Sequence, residues 1–249
     1  MAPSTAETGV PPETGAPGTL KPQPERLYGR QRGHPLRARQ QKLLTESLPR
    51  LRLQPEQAHD PRAAFSTPVE DVWLEIGFGG GEHALAQSAE NPSVGYIAAE
   101  VFENGLCSLL TRLVPEGEEA TVAPPSRLRL WPDDARLLLK ALPDSSLGRV
   151  YLMFPDPWPK ARHAKRRFVH PENIREVARV LRPGGVWRIA SDHPTYQGWV
   201  TEVMAAQTLF APAEPARGIR PPGWSPTRYE AKAVREGRTP FYWTFVKND

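Results

Sequence analysis

The sequence predicts an α/β protein built on a doubly wound, mostly parallel β-sheet with an antiparallel last strand at its C-terminus. Three observations predict it. Short apolar runs between about Val69 and Ala190 alternate with stretches of helical spacing, and strand alternating with helix demands crossovers that cover both faces of a parallel sheet. Chain-breaking residues fall where strands and helices should end: glycines at 77 and 79–81, Pro155, and Pro183-Gly-Gly185. The tail Phe241–Val246 is aromatic and β-branched, as suits a last strand at the sheet edge.

Taken in order, residues 1–24 are rich in Pro, Thr, Gly, Ala and Glu and carry few large apolar groups. They cannot offset their ordering entropy by burial and are expected to form a disordered tail. Residues 25–68 read as a basic helical segment and a linker. From Lys21 to Arg52, nine Lys or Arg stand against Glu25 and Glu46, and Leu36, Leu43, Leu44, Leu48 and Leu51 recur near helical spacing. Prolines and polar residues over 54–68 supply the linker. The main domain, 69–249, opens with a strand over Val69–Ile76 and a helix over Gly81–Ser88. Strands follow at Gly95–Val101, Leu128–Trp131 and Gly148–Phe154, with helices at Glu103–Leu113 and Ala135–Leu142 between them. A helix over Glu172–Leu181, terminated by the Pro183-Gly-Gly turn, leads to the fifth strand, Val186–Ala190.

Composition narrows the chemistry. The single cysteine, Cys107, excludes a disulfide framework and a Cys-based zinc cluster, and its apolar neighbours Gly105-Leu-Cys-Ser-Leu-Leu110 suit a buried spectator thiol. The six histidines lack metal-ligand spacing, so no metal is expected. No apolar stretch reaches membrane-spanning length and no signal-peptide pattern opens the chain. A cytoplasmic protein with no membrane association and no obligate protein partner is expected.

In a doubly wound sheet, ligands sit beyond the carboxyl ends of the strands. The first strand runs into Leu74-Glu-Ile-Gly-Phe-Gly-Gly-Gly-Glu82, where Gly77 and Gly79 let backbone amides approach a ligand. A P-loop fails because Glu82-His83 stands where Lys-Ser/Thr is needed. A dinucleotide site lacks the glycine that Glu82 replaces, and Glu75 and Glu82 would repel a pyrophosphate. S-adenosylmethionine (SAM) has no phosphate and carries two cationic groups, so acids favour it. A merely tight turn is the plain alternative. The second strand ends at Glu100, suitably spaced for ribose hydroxyls. Asp134 after the third strand suits either an adenine amino group or a helix N-cap.

Phe154-Pro-Asp-Pro-Trp-Pro-Lys160 after the fourth strand is the most informative stretch. Its prolines hold Asp156 and Trp158 on a stiff, non-helical arm. Trp158 suits stacking on a base or packing beneath the arm. Lys160-Ala-Arg-His-Ala-Lys-Arg-Arg167 then carries five permanent positive charges in eight residues, as a phosphate-gripping surface requires. Asp192 closes the fifth strand as a substrate ligand or a helix cap. Thr227-Arg-Tyr-Glu230 offers a polar set for a base edge, or a plain loop.

Together these motifs resemble the bacterial tRNA (guanine-N7)-methyltransferase family over about Tyr28 to Lys247. The resemblance rests on the Leu74–His83 block, Phe154-Pro-Asp-Pro-Trp158, Lys160 with Arg162–Arg167, Ser191-Asp192 and Thr227–Glu230. Pro159 and Ser191 depart from commoner family residues. The resemblance implies a Rossmann-like class I SAM methyltransferase fold, with SAM held by Glu75, Gly77, Gly79, Glu100, Asp134 and Asp156. It implies tRNA contacts along Arg162, His163, Ala164, Lys165, Arg166 and Arg167, and guanosine contacts from Lys160, Asp192, Thr227, Arg228, Tyr229 and Glu230. Asp156 is the catalytic residue it implies, and position 46 of the tRNA variable loop the target. Two alternatives stay open: a non-catalytic RNA-binding protein on this fold, and an amino-methyltransferase acting on another base. The latter class uses a doubled proline that Asp156-Pro-Trp lacks.

Overall fold

The computed structural model describes residues 22–23, 26–213 and 216–249. The tail expected over 1–24 therefore lies outside the described residues except at Pro22 and Gln23. Five parallel strands, β1 (Asp71–Ile76), β2 (Val94–Ala99), β3 (Leu128–Trp131), β4 (Leu147–Met153) and β5 (Leu181–Ser191), lie in the order β3-β2-β1-β4-β5. The order reverses between β1 and β4, which opens a crevice at their carboxyl ends.

Alternation along each strand sorts side chains onto two faces. Leu74, Ile97, Leu152 and Ile189 join one core cluster with Leu138 of α5 (Ala135–Ala141), Ile174 of α6 (Pro171–Val180) and Val200 of α7 (Pro194–Ala205). Trp73, Tyr96 and Tyr151 face the other way, packing with Leu106 and Leu109 of α4 (Glu103–Leu113) and Ala84 of α3 (Glu82–Glu90). Each such leucine, withdrawn from water, contributes about 1.5–3 kcal/mol before the entropy of ordering is deducted. Cys107 is buried on α4, and burial pushes its thiol up to about 11, as befits a spectator.

The amphipathic stretch near 36–53 is helical, as α1 (Ala38–Lys42), a π-turn over Leu43–Ser47, and α2 (Leu48–Leu51). Its exit extends the sheet: Leu53 N donates to Leu130 O at 2.8 Å. Residues 54–68, expected as a linker, bury Ala58, Ala64 and Phe65 in the main core. Gly95 makes room there, since a Cβ on it would meet the Phe65 ring at 2.3 Å.

Three expectations are corrected. Pro183-Gly-Gly185 does not separate α6 from a strand; it lies inside β5 as a bulge. Pairing steps from Leu147↔Leu181 to Arg149↔Val186, and Gly184 takes φ +70° to absorb the extra residues. The last strand, β8 (Phe241–Lys247), is antiparallel as expected but is not an edge. It pairs with β5 on one side, and with β6 (Phe210–Pro212) and β7 (Ala216–Arg217) on the other. Thr227–Glu230 is likewise no loop: Thr227 caps α8 (Arg228–Arg235), accepting from Glu230 N at 3.1 Å.

Candidate active site at the sheet's carboxyl edge

The turn from β1 to α3 runs through Gly77, Gly79 and Gly81 at φ +74°, +57° and +80°, a region costly for residues with a Cβ. Above Gly77 an added Cβ would meet nothing within 4 Å, whereas one on Gly79 would strike Tyr229 at 2.6 Å. The turn is thus open at its start and roofed by a ring of α8 further on.

Glu100, just beyond β2, is clamped against this turn. It accepts from Gly79 N at 2.8 Å, Val101 N at 2.9 Å and Phe102 N at 3.0 Å. A carboxylate has about four acceptor sites, so one stays available to a ligand hydroxyl. Burial raises its pKa above the ordinary value; the three amides oppose that rise and nearby Asp156 adds to it.

The arm after β4 is bent at both ends of its proline run: Phe154 and Trp158 take φ +52° and +41°. Asp156 reaches the cavity wall, and partial desolvation there raises its pKa. Trp158 meets Tyr28 edge-on at 6.3 Å and His163 at 5.9 Å. Next to it the basic run forms a 3-10 helix over Ala161–Arg166. Loss of hydration and the neighbouring cations Arg166, Arg162 and Lys160 hold His163 below its usual pKa.

These elements enclose a cavity of about 410 Å³, within the range of small-molecule sites. Gly77, Gly79, Glu100 and Asp156 lie on its wall, and so do Lys165, Arg166 and Tyr229. Carboxylates from the ends of β2 and β4 thereby share one chamber with cations of the basic run.

Comparison with known proteins places the chain. Residues 69–242 match the family described as "Putative methyltransferase". A tRNA (guanine-N(7)-)-methyltransferase of Granulibacter bethesdensis is 61% identical over 92% of this chain and 98% of that protein. One of Rhodospirillum rubrum is 44% identical over 88% of this chain and 87% of its own length. This chain belongs to the tRNA (guanine-N7)-methyltransferase family. Solved structures agree on the fold. The 16S rRNA methyltransferase KamB gives a TM-score of 0.50 at 17% identity, covering 73% of this chain and 89% of that one. A SAM-bound variant of the 16S rRNA (adenine(1408)-N(1))-methyltransferase from Catenulisporales acidiphilia gives 0.50 at 16%, covering 79% and 92%.

For this tRNA (guanine-N7)-methyltransferase family member, the structure divides the expected site residues. Gly77, Gly79, Glu100, Asp156, Lys165, Arg166 and Tyr229 come together. Glu75 does not reach the wall: it is buried beneath the turn, where its Oε2 takes Tyr96 OH at 2.7 Å and lies 2.8 Å from His83 Nδ1. Asp134 is the N-cap of α5, accepting from Arg136 N at 2.9 Å and pairing with the Arg136 guanidinium at 2.6 Å; Arg136 itself lines the cavity. Arg167 is not an RNA-facing cation. It is only 4% exposed, donates to the carbonyls of Pro157 and Trp158, and lies 4.6 Å from the Trp199 ring.

Other expected contacts stand outside the cavity wall. Asp192 pairs with Arg238 at 2.6 Å, Arg228 with Glu82 at 2.6 Å, and Glu230 with Arg220 at 3.1 Å while accepting from Tyr242 OH. Thr227 serves α8 as its cap. Lys160, Arg162, His163 and Ala164 form the outer side of the 3-10 turn. The sequence reading missed the opposite wall, where Tyr28 and Arg30 of the N-terminal segment face the cavity with Phe102. Its signal was the aromatic set between cations in Arg26-Leu-Tyr-Gly-Arg30, a pattern suited to nucleic acid.

Among the described residues no group of His, Cys, Asp and Glu is placed to hold a metal ion, and no helix is long and apolar enough to cross a membrane.

Proposed function

We propose that this chain transfers the methyl group of SAM to N7 of a guanosine in tRNA, with position 46 of the variable loop the target its family resemblance implies. The observation that carries the reading is the shared cavity: Glu100 and Asp156 line it together with Lys165 and Arg166, in a chain 61% identical to a tRNA (guanine-N(7)-)-methyltransferase. The donor set fits SAM. Glu100 keeps an acceptor site for a ribose hydroxyl, the Gly77 backbone leaves open space, and the carboxylates favour a cation where a phosphate would be repelled.

When bound, SAM supplies a methyl group on a positively charged sulfur. Guanine N7 has a lone pair and no proton, so the protein needs no strong base. The stiff Pro155–Pro159 arm keeps Asp156 in place instead of abstracting anything, and orientation does most of the work. As positive charge spreads into the guanine ring, the Asp156 carboxylate stabilises it more than the neutral base. Lys160 and Arg162 outside the cavity, with Lys165 on its wall, hold backbone phosphates, which position RNA without reading its sequence.

The test is incubation with methyl-labelled SAM and unmodified tRNA, then mapping of 7-methylguanosine by aniline-induced strand scission. Scission at the variable-loop guanosine supports the reading. Label on an exocyclic amine, or none, refutes it.

A further inference from the structure

The wall of the cavity formed by the N-terminal segment holds a contact that the methyl-transfer roles above do not explain. The Arg166 guanidinium carbon lies 4.4 Å from the centroid of the Tyr28 ring and 5.0 Å from that of Trp158. The rings are 6.3 Å apart at 74°, so a flat cation rests on one face and touches its neighbour. Arg166 Nε is buried without a hydrogen-bond partner, and among the described residues the side chain pairs with no carboxylate. Aromatic faces hold it, where an RNA phosphate would hold it better. Tyr28, Trp158, Asp156 and Arg166 all line the same cavity.

From this we infer that Tyr28, with Trp158, forms the slot for the target base, and that Arg166 fills that slot until RNA draws its guanidinium away to a phosphate. This rests on the guanine-N7 reading above, and the chemistry of that reaction explains the choice of rings. The N7 lone pair forms the new carbon–nitrogen bond as the carbon–sulfur bond breaks; the sulfur keeps the bonding pair and becomes neutral. The guanine ring takes on the positive charge. A planar neutral base thus becomes a planar cation, the species that aromatic faces attract. Tyr28 is a positioning residue whose hold on the base strengthens as the methyl transfers. The resident guanidinium shows that this slot accepts a planar cation, and Asp156 supplies the opposite charge to the same chamber.

The test is a series at position 28 in the full chain: Tyr28→Phe, Tyr28→Leu, and Phe analogues carrying one, two or five ring fluorines, which weaken the ring's negative face with little change of shape. Single-turnover methylation of unmodified tRNA, SAM affinity by calorimetry and tRNA affinity by filter binding are read for each. Tyr28→Phe should transfer at close to the wild-type rate. Tyr28→Leu should lose about two- to thirtyfold, the range of a cation–aromatic contact, with SAM affinity within about twofold. The fluorinated series should fall in step with ring electron density. A merely structural ring would leave that series flat, and a flat series overturns the proposal. Equal losses in SAM affinity and rate overturn it too, since they make Tyr28 a wall of the cofactor site. Wild-type protein that leaves guanine N7 unmethylated refutes the parent reading and this one with it; methylation by the wild type with a flat series refutes this one alone.

Discussion

Arg167 offers the sharpest contrast between a cation proposed to grip RNA and one that holds the protein together. Truncation by Arg167→Ala strips donors from the carbonyls of Pro157 and Trp158, at 3.2 Å and 3.0 Å, and removes a cation 4.6 Å from the Trp199 ring. Hydrogen bonds from a charged donor contribute about 1.5–3 kcal/mol each, and a desolvated cation–aromatic contact about 2 kcal/mol. Burial already lowers the Arg167 pKa, so part of that gain is spent on desolvating the guanidinium. A net loss of about 2–4 kcal/mol follows, which for a domain of this size lowers Tm by roughly 4–16 °C. Thermal unfolding measures it, and filter binding across a salt series gives the companion number. Arg162→Ala, on the exposed side of the turn, should leave Tm unchanged and reduce the salt slope of tRNA binding by about 0.7–0.9. The reasoning is refuted if Arg167→Ala melts with the wild type and flattens the salt slope as Arg162→Ala does.

Asp156→Asn should slow methyl transfer by about a hundred- to a thousandfold while SAM affinity stays within about threefold by calorimetry. The folded protein raises the Asp156 pKa by desolvation, so protonation favours the fold and that contribution is lost as pH rises through the raised pKa. At pH 7 the neutral asparagine should therefore melt no lower than wild type, and a drop in Tm would contradict this. In the wild type the same shift places the acid limb of the rate profile above the usual carboxylate value of about 4, and Asp156→Asn should abolish that limb. Glu75→Gln should cost about 1–3 kcal/mol in denaturant unfolding, because it weakens bonds to Tyr96 and His83, with little change in SAM affinity. A tenfold loss of SAM affinity at unchanged stability would make Glu75 a cofactor ligand after all. Gly79→Ala, at φ +57° and 2.6 Å from Tyr229, should weaken SAM binding in calorimetry and cost about 1–2 kcal/mol of stability.

Much of the sheet was legible because β1 to β4 are apolar runs ended by glycine, acid or proline, and because buried parallel strands need little else. What the sequence hid depends on neighbours far along the chain. The Pro183-Gly-Gly segment has the composition of a helix stop, and only β4 alongside shows that it is a bulge. Glu75 is expected in the SAM site, and its burial against His83 and Tyr96 depends on how the packed strand and helix meet. Arg167 shares its chemistry with Arg162 and Arg166, and only the fold of the arm turns it inward. Asp134 forms the cap of α5, one of the two roles its position suits, and the adenine role remains a proposal. Thr227 differs: Thr-x-x-Glu is a helix-start signature, so its cap is legible in the letters.

The placement of β8 has a consequence for damaged molecules. Its seven residues seal the long flank of β5, and the connection leading to it delivers Tyr229 over Gly79. A cut in that connection that frees β8 would spoil the pocket and bare an unsealed strand edge, the surface by which chains clump. Loss of function and loss of solubility would therefore coincide, and nicked copies would leave solution instead of occupying tRNA unproductively.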